Sequence, residues 1–277
     1  MYPILFSLET PEFLQGFLPP ILTVYAYGFM IATGIVVALA YTVVQAKRQF
    51  GVAPHLLVDL ALFLMLAAFI GGKVFFYLED PATYLGNPSL MFKNLGKGFV
   101  FYGSLLFCIP TLLWFFKKHK LPVAGMLDIF AVTTCLVHAF GRVGCFMAGC
   151  CFGLPSDGPL AVIFTDPACL ARPLDTPLHP TQLYDMFAII SIMLVLLVVK
   201  QKRQFSGQVF LVYLGLYAVS RSIVEIFRGD EQRGFIINNL LSHSQFIALL
   251  ILAGVVYYYL KLLKQSKARK GKKNKAA

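Results

Sequence analysis

Apolar residues along this chain come in long blocks, separated by short polar or glycine- and proline-rich connections. About seven blocks approach the ~20 mostly apolar residues that a membrane-spanning helix needs. They are Ile21–Val44, Leu56–Leu78, Phe99–Phe116, Val123–Phe140, Leu183–Val199, Val209–Phe227 and Phe246–Leu263. The third and fourth are short or carry polar ends. The pattern predicts an all-α membrane protein of about seven transmembrane helices.

The connections orient these spans. Lys47 and Arg48 follow the first block, Lys117, Lys118 and Lys120 the third, and Lys200, Lys202 and Arg203 the fifth; a basic tail follows the seventh. Every second connection is therefore basic and tight, as cytoplasmic loops are. The alternate connections, Glu79–Gly98, Gly141–Thr181 and Gly229–Asn239, are longer and mixed in sign. The N-terminus is expected outside and the C-terminus in the cytoplasm. Met1–Pro20 has no basic start and no small-residue cleavage site, and reads as an extracytoplasmic preamble. A single polytopic domain over 1–277 is expected, with an extracytoplasmic loop about 141–181 and a basic cytoplasmic tail about 264–277.

Composition agrees. The 277 residues are 58% hydrophobic and 13% charged, about half the charged share of a soluble domain, with a mean hydropathy of +0.73. The net charge of +11 resembles that of a nucleic-acid binder until it is located. Much of it lies in Lys261–Lys275 and the rest in short turns, which suits anionic lipid headgroups and argues against nucleic acid as a partner.

Polar residues inside the blocks gather toward the outer side. Tyr25, Tyr27 and Gly28 lie in the first block, Lys73 near the end of the second, and Tyr102 and Ser104 at the start of the third. Arg142 closes the fourth, and His179, Gln182, Tyr184 and Asp185 open the fifth. Arg221, Glu225 and Arg228 end the sixth at spacings i, i+4 and i+7, predicted to share one helical face. A charge near mid-membrane costs at least ~2.5–3.5 kcal/mol, which an Arg221–Glu225 pair offsets. Lys73 and Arg228 also fit a snorkelling role, and Tyr25 and Tyr27 an aromatic belt. Two arginines at one depth suit a phosphate, because guanidinium forks onto it with parallel hydrogen bonds. A phospholipid headgroup is the expected ligand; the reaction type does not follow from this.

Gly141-Arg142-Val143-Gly144-Cys145-Phe146, His179-Pro180-Thr181-Gln182-Leu183-Tyr184 and the segment from Tyr217 to Arg228 together resemble the bacterial prolipoprotein diacylglyceryl transferase family. Tyr27-Gly28, Gly71-Gly72-Lys73, Phe101-Tyr102-Gly103-Ser104 and Gln245 follow the family's order, so the resemblance covers nearly the whole chain. It implies a seven-span enzyme of the bacterial cytoplasmic (inner) membrane. The reaction it implies moves a diacylglyceryl group from phosphatidylglycerol to the lipobox cysteine of a prolipoprotein signal peptide, forming a thioether and releasing glycerol phosphate. Carried over, Arg142 and Arg221 bind the headgroup phosphate and stabilise its developing charge, Glu225 orients Arg221, and Arg228 assists. Tyr27 and Gly28 touch the headgroup, Lys73 stands where the family has arginine, and Gly141, Gly144 and Gly153 allow close approach. His179 to Tyr184, including Gln182, fix the start of the fifth helix. That segment reads equally as a helix start capped by Thr181.

The chain also departs from the family. The signature usually continues with Asn, Asn and Glu where Cys145, Ala148 and Cys150 stand, and many members carry His where Tyr102 stands. A tyrosine with pKa about 10 is a poor base at neutral pH, so the group that takes the thiol proton is open. Cys145, Cys150 and Cys151 admit three readings: packing residues, a disulfide involving Cys169, or metal or redox chemistry with His138 and His179 as the nearest histidines. No metal or organic cofactor is expected. Two alternatives to the transferase stand beside it: a catalytically altered paralogue that binds phospholipid or lipoprotein, and a membrane thiol oxidoreductase or transporter.

Overall fold

Glycine at sites of close helix approach and carboxylates at helix ends set the local architecture. The computed structural model describes residues 2–11, 13, 20–96, 98–228, 235–237 and 241–276. Its helices are α1 (Ala26–Phe50), α2 (Pro54–Glu79), α3 (Pro81–Gly86), α4 (Ser89–Lys93), α5 (Phe101–Lys118), α6 (Val123–Ala148), α7 (Thr181–Gln201), α8 (Gln208–Ile226) and α9 (His243–Ala276). Short antiparallel pairs join β1 (Ile4–Glu9) to β2 (Ile21–Tyr25), β3 (Val162–Ile163) to β4 (Pro177–Leu178), and β5 (Phe235–Ile237) to β6 (Leu241–Ser242).

Among the described residues, six helices are long and apolar enough to cross a membrane: α1, α2, α6, α7, α8 and α9. The 18-residue α5 carries Tyr102, Gly103, Ser104 and an internal Pro110 against its apolar residues, and falls outside that set.

Several predicted boundaries move. Ile21–Tyr25 pairs as a strand with Ile4–Glu9, so the first helix begins at Ala26 rather than Ile21. The β-branched and aromatic residues of Ile21-Leu22-Thr23-Val24-Tyr25 suit a strand as well as a span. α6 runs on to Ala148 and therefore carries Gly141, Arg142, Gly144 and Cys145, which the sequence reading assigned to the outer loop. The predicted basic tail continues α9 to Ala276; the side chains of 269–276 lie outside the described set, as does most of the predicted connection Gly229–Asn239.

The chain divides into two compact units, Tyr41–Met126 and the combination of Met1–Ala40 with Leu127–Ala277. In the first, α2 packs along α5. A Cβ on Gly71 would stand 2.4 Å from the carbonyl oxygen of Gly103, and one on Gly103 equally close to that of Gly71. Only glycine permits this backbone approach, the small-residue packing common between membrane helices. Ser104 Oγ donates to the Ala68 carbonyl at 2.8 Å across the same seam.

In the second unit, α7 packs on α8 and α8 on α9. The buried Asp128 of α6 accepts from the backbone N–H groups of Gly207 (2.8 Å) and Phe210 (3.0 Å), satisfying donors at the start of α8 that the helix cannot. The loop between α6 and α7 has its own small core of Phe164, Cys169, Ala171 and Leu178.

Candidate active site

The end of α6 and the start of α7, which flank the 149–180 loop, and the end of α8 bring charged and aromatic side chains together. Arg142 is the hub. Its Nη2 lies 3.0 Å from Asp185 Oδ2 on α7, and its Nε donates to His138 Nε2, one turn back on α6, at 3.1 Å. That bond fixes Nε2 as the unprotonated nitrogen and occupies its lone pair, so His138 acts here as a holder of Arg142. His138 also meets Tyr217 of α8 edge-on, at 5.7 Å between ring centroids, and lies within electrostatic reach of Arg221. Charges from two separate helices therefore act on one imidazole.

Arg221 pairs with Glu225 one turn on. Arg142 is thus engaged through Nη2 and Nε, and Arg221 through Nη1. Both arginine side chains keep 15% of their surface accessible,. Paired carboxylates lower the cost of holding two cations in an apolar setting while leaving donors to spare for an anion.

Tyr27 of α1 backs onto Gly144, whose Cβ position would stand 3.2 Å from the Tyr27 Cα. It lies within electrostatic range of Arg142 and of Cys145, Cys150 and Cys151. Gly28, next along, has open space around its Cβ position. Arg228 falls two residues beyond the end of α8, its N–H donating to the Glu225 carbonyl; the predicted shared helical face with Arg221 and Glu225 thus holds for only two of the three.

The residues from His179 to Tyr184 form a clamp on the loop. His179 Nδ1 and Tyr184 Oη stand 3.0 Å apart, and both rings meet Phe227 edge-on. Pro180, rather than Thr181, occupies the cap position of α7. Thr181 Oγ1 instead donates to the Cys151 carbonyl and Gln182 Nε2 to the Cys150 carbonyl, each at 2.7 Å. Gly153 lies under this clamp: a Cβ there would meet the Phe227 carbonyl oxygen at 2.4 Å.

The remaining two predicted site residues belong to the unit Tyr41–Met126. Lys73 is buried, with Nζ donating at 3.0 Å to the carbonyls of Asn94 and Gly98 and standing over the Phe76 and Tyr77 rings; it ties down the connection before α5. Tyr102 is 62% exposed and touches Phe101 edge-on.

None of the six cysteines is disulfide-bonded. The sulfurs of Cys145, Cys150 and Cys151 lie within 4.8 Å of one another, whereas Cys169 is buried in the loop core. The Cys150 thiol donates to the Cys145 carbonyl at 3.7 Å, and the neighbouring thiols, with the charges of Arg228 and Arg142, draw the Cys151 thiol below the ordinary thiol range despite burial. The sequence names Asp185 only among the polar residues that open the fifth span and His138 only as a histidine near the cysteines; neither is assigned there to Arg142, and Tyr217 is given no role. His138 was legible, since it stands four residues before Arg142 on one helix.

A groove of about 680 Å³ runs along α7 and α8, lined by Tyr184, Ala188, Ile192, Leu216, Ile223 and Phe227 among others. It takes the next residues round each helix from Asp185 and Arg221, so it presents an almost wholly apolar trough beside the charged centre.

The family model described as prolipoprotein diacylglyceryl transferase matches residues 17–260. The chain is 36% identical over 238 residues to the phosphatidylglycerol–prolipoprotein diacylglyceryl transferase of Clostridium tetani (strain Massachusetts / E88), covering 86% of this chain and 93% of that protein. It is 33% identical over 240 residues to the second such transferase of Clostridium perfringens (strain 13 / Type A), covering 86% and 91%. To the corresponding protein of Dehalococcoides mccartyi (strain CBDB1) it is 26% identical over 247 residues, covering 89% and 92%. With its spans and its paired arginines described, the chain belongs to the prolipoprotein diacylglyceryl transferase family.

Proposed function

We propose that this protein transfers a diacylglyceryl group from phosphatidylglycerol to the lipobox cysteine thiol of a prolipoprotein, in the cytoplasmic membrane of a bacterium. The thiol sulfur bonds to the glyceryl carbon, the carbon–oxygen bond to phosphate breaks, and glycerol phosphate leaves. One observation carries the reading: Arg142 and Arg221, on different helices, are each paired with a carboxylate and both lie within electrostatic reach of His138.

Arg142 and Arg221 clasp the headgroup phosphate and stabilise the charge that grows on it as it leaves, help worth about 3–4 kcal/mol per well-placed donor. Asp185 and His138 hold Arg142, and Glu225 holds Arg221. Tyr27 and Gly28 border the headgroup, Gly144 and Gly153 let chain and ligand approach, and His179, Gln182 and Arg228 support the loop that roofs the site. Tyr102 and Lys73 are carried into the reading by their place in the family's sequence order alone. The trough along α7 and α8 suits an acyl chain, since its lining offers hydrocarbon and few polar groups. With α5 taken as a seventh span and the N-terminus as outside, on the pattern of basic connections, this site is assigned to the outer leaflet.

The test is purified protein in phosphatidylglycerol micelles with a lipobox peptide. Release of glycerol phosphate, coupled one-to-one to peptide thioether, is the expected result. A second reading, lipid or lipoprotein binding without transfer, draws on Tyr102 in place of the usual histidine. It prevails if well-folded protein binds the lipid and releases nothing.

A further inference from the structure

Three sulfurs converge where α6 gives way to the loop. Gly149 (φ 71°) and Cys151 (φ 60°) both take left-handed backbone conformations, the second uncommon for a side chain branched at Cβ or not. Between them the chain reverses, so that the Cys150 N–H donates to the Cys145 carbonyl at 3.1 Å and two adjacent thiols turn toward a third on the helix. The carbonyls of Cys150 and Cys151 are each held from α7, by Gln182 and Thr181. This is a fastened turn, and strain of the Cys151 kind persists where surrounding contacts enforce it.

The spacing suits a metal. Metal–sulfur bonds of about 2.3 Å at tetrahedral angles set sulfurs about 3.8 Å apart, and these thiols already lie within 4.8 Å of one another. Among the described residues no fourth Cys, His, Asp or Glu joins the group. Closed structural zinc sites use four protein ligands, whereas three leave a position for a reactant. Arg142, the proposed phosphate holder, lies within electrostatic reach of Cys145 and Cys151.

We propose that Cys145, Cys150 and Cys151 bind one thiophilic cation of the zinc class, whose open fourth position takes the acceptor cysteine thiol and presents it as a thiolate for alkylation. The proposal rests on the transfer reading above and supplies the thiol deprotonation that Tyr102 is ill suited to perform. The three protein thiols lose their protons to water as the metal binds, and the acceptor S–H likewise passes its proton to water as its sulfur–metal bond forms. The sulfur then attacks the glyceryl carbon, the carbon–oxygen electron pair passes to the phosphate held by Arg142, and glycerol phosphate departs. The neutral thioether, a weaker ligand, leaves the metal. A free thiol of pKa about 8.5 is only about 3% ionised at pH 7, so complete ionisation is worth about 30-fold in rate.

The experiment uses full-length protein in detergent, reduced with a phosphine, stripped by chelator and titrated with cadmium. One equivalent with a thiolate-to-cadmium charge-transfer band is expected, lost in Cys151→Ser and kept in Cys108→Ser. In native protein the three cysteines should resist alkylation when metal is present, a readout independent of whether variants fold. A lipobox peptide should shift the band, and its Cys→Ser counterpart should not. Chelation should lower transfer about 30-fold, with zinc restoring it. Reduced protein that binds no cadmium while still releasing glycerol phosphate overturns the metal site and leaves the transfer reading intact. A band that the peptide does not shift overturns the fourth-ligand role. A band that shifts with peptide while no metal supports glycerol phosphate release overturns the transfer reading instead.

Discussion

Arg142 on α6 and Asp185 on α7 meet at 3.0 Å with their side chains 15% and 5% exposed, and this pair links the helix bearing the proposed phosphate donor to the helix that clamps the loop. Breaking it leaves a poorly solvated charge. Asp185→Ala should cost about 3–5 kcal/mol of stability, seen as a lower Tm in detergent. The exchange Arg142→Asp with Asp185→Arg should recover much of that stability without recovering transfer, because the guanidinium then sits on the wrong helix.

His138 offers an acceptor to Arg142 Nε. His138→Phe removes the acceptor while keeping a ring against Tyr217, and should cost about 1–3 kcal/mol at the guanidinium. The predicted effect is a fall in kcat with folding retained, and His138→Gln should recover part of it. A role as general base would give no recovery with glutamine and a changed pH profile.

Gly153→Ala places a methyl 2.4 Å from the Phe227 carbonyl and 2.7 Å from Thr181 Cγ2. Neither backbone carbonyl nor clamped threonine has room to move, so both Tm and transfer should fall. Gly254→Ala on α9, with nothing within 4 Å, should instead raise stability by up to about 1 kcal/mol through helix propensity.

Asp128 accepts two N–H groups at the start of α8, far along α6 from Arg142. Asp128→Ala orphans both and should cost about 2–5 kcal/mol. Thermal unfolding should show the loss, while the KM for phosphatidylglycerol in the surviving folded protein stays unchanged.

The blocks of apolar residues located α2, α7, α8 and the apolar part of α9 within a few positions, since length and hydropathy decide a span almost alone. They failed at Ile21–Tyr25, where an apolar run continuous with a helix pairs as a strand with residues 12 to 21 positions earlier; pairing at that separation leaves no local mark. They also ended the fourth helix early, because Gly141, Arg142 and Gly144 look like loop residues when the partners that accommodate them, Ile31, Asp185 and Tyr27, are unknown. Within the candidate site, Arg221 and Glu225 were legible through their four-residue spacing, as His138 and Arg142 could have been. That Asp185 pairs with Arg142 depends on how α6 and α7 are rotated against each other. The meeting of Cys145 with Cys150 and Cys151 depends on two left-handed residues, of which only Gly149 announces itself.

The most direct test of the account is a double-mutant cycle on transfer, comparing kcat/KM for the native protein, Arg142→Ala, Arg221→Ala and the double variant, each checked for native-like unfolding. If both guanidiniums grip one phosphate, each single change should lower the rate about 10²–10³-fold, and the double variant should be much less impaired than the product of the two. Independent, multiplying losses, or a single variant with the native rate, would contradict it.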